Sequence, residues 1–122
     1  MKRSILFISL MTLLAGVTLL VAQQNDLMEK KTLHAEKIFR ALALGDLAQV
    51  STEADALEKV TVDAGFANRS ESYQEYGKEF LKVVRALKKE ASNGNSAGSY
   101  YQFSRMSGLC FTCHEHVRDN KD

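Results

Sequence analysis

The sequence predicts an all-α fold, an antiparallel up-down-up-down bundle of four helices. Four segments of similar length each repeat apolar residues at helical spacing, and short polar connections separate them. The chain contains no proline, so no residue of that type interrupts a helix. With 122 residues, 45% of them hydrophobic and 25% charged, the composition is that of one ordinary soluble domain. Short connections between amphipathic helices make antiparallel neighbours, which is why we expect this bundle.

The first two predicted helices meet at a short junction. The first helix covers residues 25–44, and Gly45 is typical of the position just after a helix end. Asp46 then caps the second helix, with Gln49 three residues later as in a capping box. The apolar stripe of the first helix consists of Met28, Ala35, Ile38, Phe39 and Leu42. The stripe of the second helix consists of Leu47, Val50, Ala54, Leu57, Thr61 and Ala64.

Two further helices complete the pattern. Residues 65–70 predict a loop, and Ser72 with Glu75 predicts a capping box at the start of the third helix. Residues 93–96 predict a turn, after which the fourth helix covers residues 97–118. One face of the third helix carries Tyr76, Phe80, Val83, Val84, Leu87 and Ala91. One face of the fourth helix carries Phe103, Met106, Cys110, Cys113, His114 and Val117.

Residues 1–22 have the pattern of a signal peptide. They begin with the positively charged pair Lys2-Arg3, and a long apolar run follows. Cleavage would leave residues 23–122 as the mature domain, with 14 basic and 15 acidic residues. The alternative is an uncleaved anchor in the cytoplasmic membrane, and in either case we expect an exported, periplasmic domain. The near-neutral charge argues against a nucleic-acid partner, which needs a basic patch.

The most specific motif is Cys110-Phe111-Thr112-Cys113-His114, the Cys-x-x-Cys-His attachment signal of a c-type haem. On a helix, Cys110 and Cys113 lie about one turn apart on one face, so both thiols can form thioethers with the vinyl groups of one porphyrin. His114 follows Cys110 by four residues and points the same way, so its imidazole can bind the iron as the proximal ligand. The sequence therefore predicts one covalently bound haem c with its iron.

Two other chemistries also use cysteine pairs. A structural zinc site needs four ligands, and Cys110 and Cys113 are the only cysteines in the chain. A thioredoxin-like redox pair should follow a strand in a βαβ unit, and the sequence predicts no such unit. A thiol–disulfide protein without haem is kept as the third alternative.

With a signal peptide, four helices and Cys-x-x-Cys-His near the end of the last helix, the chain resembles the cytochrome c′ family. The resemblance covers nearly the whole mature chain, although only the haem motif is highly specific. Its matching stretches are Leu27-Met28-x-x-Lys31 with Ala35, Ala41-Leu42-Ala43 with Asp46, Tyr76 to Leu87, and Cys110 to His114 with Arg118. The resemblance implies that the distal side of the haem iron is either an open site or holds a methionine ligand, as in related bundle cytochromes.

The position of each residue along its helix indicates which side chains can reach the distal side of the haem iron. In this bundle the start of the first helix lies beside the end of the fourth, which places the haem there. His114 lies 18 residues after Ser96, about 27 Å along the helix, and Met28 lies 17 residues before Gly45, about 26 Å. We therefore weigh Met28 as the distal iron ligand against a core methionine that only touches the ring. His34 lies 11 residues before Gly45, about 17 Å, and is expected to miss the iron.

Other residues are predicted to line the haem pocket. Ala35 and Phe39 continue the apolar wall of the first helix, and Phe103 is expected to pack beside the ring. Arg118 has two interpretations: a contact with the imidazole or a propionate, or a cation that complements the helix dipole. His116 is expected on the surface.

Together these features predict an exported monohaem c-type cytochrome that carries single electrons in the periplasm, with redox proteins as partners. No constellation of general acid, base and nucleophile is visible, so we do not expect an enzyme. The alternative is a five-coordinate haem protein that binds nitric oxide or carbon monoxide. A homodimer is compatible with the sequence.

Overall fold

The computed structural model describes residues 26–66 and 69–120. Within these residues every regular element is an α-helix, and the four helices pack against one another. Their bounds are residues 26–44 for α1, Leu47–Ala64 for α2, Glu71–Ser92 for α3 and Ser96–Asn120 for α4. The predicted all-α fold of four helices is confirmed. The predicted signal peptide at residues 1–22 lies outside the described residues.

The α1–α2 junction forms as its sequence predicts. Gly45 has φ of 73°, a left-handed conformation that favours glycine. Its N–H donates to the Leu42 carbonyl at 3.1 Å, and the Asp46 N–H donates to the Ala41 carbonyl at 2.9 Å. These two bonds make a Schellman motif. The Asp46 carboxylate then accepts from the Gln49 N–H at 2.9 Å, so one helix ends where the next begins.

The start of α3 differs from the prediction. The cap is Ser70, whose hydroxyl accepts from the Tyr73 N–H at 3.2 Å. The predicted cap, Ser72, lies inside the helix. A cap needs only one side-chain oxygen bonded to a backbone N–H, and the acidic residue three positions on is optional. The helix start predicted from Ser72 and Glu75 was therefore wrong by two residues.

The α3–α4 junction is also held by local bonds. Gly94 has φ of 72°, and the Asn95 N–H donates to the Glu90 carbonyl at 3.0 Å. The Asn95 side chain accepts from the Gly98 N–H at 3.0 Å and donates to the Glu90 carboxylate at 2.7 Å. One asparagine therefore ends α3 and starts α4.

The core lies where the inner faces of all four helices meet. Its buried members are Ile38, Ala41, Val50, Ala54, Leu57, Val83, Val84, Leu87, Ala91 and Met106. Phe39, predicted on the apolar stripe of α1, is instead 62% exposed. Neighbouring residues on a helix differ by about 100° in direction, so Ile38 and Phe39 cannot both point into the core. Ile38 does, and is fully buried.

Polar contacts join neighbouring helices at their margins. Between α1 and α2, His34 meets Glu53 at 2.7 Å. Between α3 and α4, Arg105 pairs with Glu79 at 2.8 Å. Contacts between α2 and α3 are Arg85 to Glu58 at 2.6 Å, Lys88 to Asp55 at 2.8 Å, and Ser51 to Ser92 at 2.8 Å. No helix in the described ranges has the length and apolar character needed to cross a membrane.

Candidate functional site

A cavity of about 430 Å³ lies between α1, α3 and α4. From α4 it is lined by Met106, Ser107, Leu109, Cys110, Phe111, Cys113 and His114. From α3 it is lined by Tyr73, Tyr76, Gly77 and Phe80, and from α1 by Met28, Lys31, Thr32 and Ala35. Phe66, in the connection between α2 and α3, completes the lining. The surroundings are aromatic and aliphatic, with a few polar groups at defined positions.

The α4 wall contains all three chemically active residues of the Cys-x-x-Cys-His motif. Cys110 and Cys113 are half-buried, are not joined in a disulfide, and lie about one helical turn apart. His114 is exposed but lines the same cavity. Burial raises the pKa of the Cys110 thiol, so it stays protonated at neutral pH. The Thr112 hydroxyl donates to the Gly108 carbonyl at 3.0 Å and takes no part in the lining.

The α1 wall carries the predicted Met28 and Ala35, together with Lys31 between them. These three residues follow one face at intervals of three and four. Burial lowers the pKa of the Lys31 ammonium, and the nearby Cys113 and Cys110 act in the opposite direction. The cavity lining from α1 therefore includes a thioether side chain and an amine side chain. Iron ligation by Met28 stays a prediction.

The α3 wall is shaped by a glycine. A Cβ atom at Gly77 would lie 2.7 Å from Cε1 of Phe66, so only glycine lets that ring pack against α3. The Lys31 ammonium lies 5.9 Å from the centre of the Phe66 ring and 5.6 Å from that of Phe80. These distances are within the range of a cation–π interaction.

Three predicted pocket residues do not line the cavity. The Phe39 and Phe103 rings contact each other, with centroids 6.0 Å apart, at the margin of α1 and α4. Arg118 is exposed, and its guanidinium lies 3.3 Å from the Asp119 carboxylate. His116, expected on the surface, is half-buried with its ring 5.4 Å from that of Tyr76.

Sequence reasoning missed several residues that the structure brings to the cavity. Lys31 falls on the same face as Met28, but a lysine does not count toward an apolar stripe. Tyr73 lies one turn before Tyr76, a spacing that could have identified it. Phe66 and Gly77 face each other from different elements, and no local pattern signals that contact.

No family model matches the chain, and comparisons with curated proteins and with solved structures also find no match. The resemblance to the cytochrome c′ family therefore stays a prediction. The described residues include no group of three or more His, Cys, Asp or Glu side chains that could together hold a metal ion.

The donor set of the cavity fits a covalently attached haem. A porphyrin brings four of the iron's nitrogen ligands itself, so the protein has to supply only axial donors and attachment points. Cys110 and Cys113 are two thiols one turn apart, and His114 provides an imidazole on the same helix. The aromatic side chains of α3 suit a large flat apolar ring.

Proposed function

We propose that the chain is an exported monohaem c-type cytochrome, similar to the cytochrome c′ family, that carries single electrons. The observation behind this proposal is that Cys110, Cys113 and His114 line one cavity. A chance match to the motif would have no reason to place its thiols and imidazole against a pocket lined by aromatic residues from other helices.

The finer fold we propose is the up-down-up-down bundle, with the haem near the start of α1 and the end of α4. Between α2 and α3, the contacts pair Ser51 with Ser92 and Glu58 with Arg85. Residue numbers rise along one helix as they fall along the other, which supports an antiparallel arrangement. Met28 and His114, near those two helix ends, line the same cavity, which supports the haem position.

Each residue of the site has a distinct role in this proposal. Bound haem supplies the Fe(III)/Fe(II) couple for electron transfer. Cys110 and Cys113 would hold the porphyrin, each thiol adding across one vinyl double bond with sulfur bonding to one carbon and hydrogen to the other. The His114 imidazole would bind the iron, Ala35 would line the α1 side of the ring, and the aromatic lining would exclude water. For Met28, the sequence leaves two roles open, a distal iron ligand or a core methionine that only touches the ring.

The setting that we propose follows from the same features. Haem c on an exported domain works in the periplasm, where other redox proteins donate and accept its electrons. Its role is to carry electrons rather than to catalyse a reaction, and no nucleic acid takes part. Membrane association would require that residues 1–22 remain attached.

A second candidate function is reversible binding of nitric oxide or carbon monoxide to a five-coordinate iron. The observation that favours it is the small Ala35 side chain on the α1 wall of the cavity. A methyl group there leaves room for a small neutral ligand. Coordination of the native iron separates the two functions, since a sixth protein ligand blocks ready gas binding.

The deciding experiment is retention of haem after denaturation. Protein produced with the haem-attachment machinery should keep its haem in acidified organic solvent, because thioethers are covalent. Cys110→Ala and Cys113→Ala should each leave a single-thioether or haem-poor product, detected by the absorption spectrum of the denatured protein. Thr112→Ala, inside the same motif, is the control and should retain both bonds. Complete release of haem from the native protein would refute the proposal.

A further inference from the structure

Lys31 differs from most other lysines of the described chain in having no carboxylate partner. Lys30, Lys59 and Lys88 each reach a carboxylate within 2.8 Å. For Lys31, the contacts within the described residues are the faces of two aromatic rings. A half-buried ammonium without an anion is unfavourable unless its environment supplies a partner. The side chain therefore lines a cavity whose occupant is expected to engage its nitrogen.

The environment of Lys31 also favours the neutral amine. Removal from water lowers the pKa of the ammonium, and only Cys113 and Cys110 oppose that effect. A thioether cannot ionise, so with haem attached neither sulfur atom could stabilise the ammonium as a thiolate would. A neutral amine has a lone pair and can bind a metal, as a neutral imidazole does.

A haem offers two partners to this nitrogen, a propionate carboxylate or the iron. The propionates and the vinyl groups occupy opposite edges of the porphyrin, and the cysteines mark the vinyl edge. Lys31 lines the same cavity as both cysteines, and its pKa responds to both of them, so we place it toward their half of the ring. This position disfavours the propionates and leaves the iron as the nearer partner.

We propose that the Lys31 amine, rather than the Met28 sulfur, is the second axial ligand of the haem iron. The inference rests on the proposed function. The ammonium releases its proton to solvent, its nitrogen lone pair binds the iron, and the iron keeps its oxidation state. A nitrogen ligand is harder than a thioether, so the reduction potential lies below that of a methionine-ligated site. A six-coordinate iron favours electron transfer over gas binding.

Three variants of the haem-loaded full chain test the assignment. Lys31→Arg keeps the positive charge but cannot bind iron, Lys31→Leu removes both the charge and the iron-binding atom, and Met28→Leu is the matched control on the same face. We expect a low-spin ferric electron paramagnetic resonance signal in the native protein and in Met28→Leu. Both Lys31 variants should lose that signal, become high-spin and bind carbon monoxide rapidly when reduced.

Every other pattern overturns the assignment. Loss of the low-spin signal in Met28→Leu alone would make methionine the ligand. A low-spin signal that survives in Lys31→Arg but not in Lys31→Leu would show that the positive charge, not coordination, is what matters. A native protein that retains its haem but is high-spin has neither ligand, and this would refute the Lys31 proposal alone. A protein that loses its haem on denaturation would refute the proposed function as well.

Discussion

The His34 imidazole and the Glu53 carboxylate meet 2.7 Å apart between α1 and α2. Glu53 is only 7% exposed, and its other oxygen accepts from the Gln49 side chain at 2.7 Å. Buried carboxylates are tolerated when hydrogen bonds replace their water. His34, expected from the sequence to miss the iron, therefore has a structural role between two helices.

Loss of this contact should destabilise the fold. His34→Ala leaves the buried carboxylate with one strong partner fewer, and we expect the free energy of unfolding to fall by about 1–3 kcal/mol. Urea unfolding followed by circular dichroism measures the change. Lys30→Ala is the control, because it removes only the exposed Lys30–Asp26 pair on α1 and should change stability by less than about 0.5 kcal/mol. Equal losses in the two variants would contradict this role for His34.

The Asp55 carboxylate should show a depressed pKa. Hydrogen bonds from Lys59 and then Lys88 lower the pKa of Asp55 to about 2, against about 3.9 in an unfolded chain. The folded state therefore binds this proton more weakly, and the stabilisation present above about pH 4 is lost as the pH falls toward 2. Carboxyl-carbon NMR titration should show a higher Asp55 pKa in Lys59→Met and no change in Lys82→Met. An unchanged pKa in Lys59→Met would contradict the assigned cause.

Two glycines in different helices should respond oppositely to alanine. At Gly77 a methyl group would overlap the Phe66 ring, so we expect Gly77→Ala to lower stability by about 1–3 kcal/mol. At Gly108 nothing lies within 4 Å of the added atom, so Gly108→Ala should raise stability by about 0.5–1 kcal/mol. Thermal unfolding compares the two variants. An equal gain in stability at both positions would show that the Phe66 ring does not exclude a methyl group at Gly77.

The proposed haem should complete the core. Without it the cavity of about 430 Å³ lacks its main apolar occupant, so we expect the apo chain to unfold at lower temperature. It should also lose near-ultraviolet dichroism while it keeps most of its helicity. His114→Ala should weaken the haem-loaded protein but have little effect on the apo chain, where the imidazole is exposed. An apo form as stable and cooperative as the holo form would place the haem outside the core.

Local patterns predicted the helix boundaries well because the signals themselves are local. Gly45 and Asp46 act through bonds to residues within five positions, and both behave as predicted. Helical spacing likewise predicts that Cys110, Cys113 and His114 share one face of α4, but the cavity beside that face depends on residues of α1 and α3. The cap of α3 was misplaced because Ser70 and Ser72 are the same residue type, and only three-dimensional structure shows which hydroxyl reaches a backbone N–H.

Contacts between distant parts of the chain could not be predicted in this way. The pairing of His34 with Glu53 depends on how α1 and α2 are rotated against each other, and no spacing within either helix encodes that rotation. Phe39 lies at the edge of its stripe, where a small rotation decides between core and surface. Lys31 was overlooked as a pocket residue because its charge suggests solvent, whereas a long aliphatic side chain can lie along an apolar wall.

The Asn95 junction has a consequence for the order in which the molecule folds. Closing a loop of so few residues costs little chain entropy, and the bonds from Asn95 to Glu90 and Gly98 need no other helix. The α3–α4 hairpin is therefore expected to form early and to set the register of Tyr76 against the Cys-x-x-Cys-His motif. The α1–α2 junction is equally short and local, so each hairpin is expected to form on its own, and docking of the two hairpins brings Met28 and Lys31 to the cavity last. Pulsed hydrogen exchange should then show early protection at both junctions, near Gly45 and near Asn95.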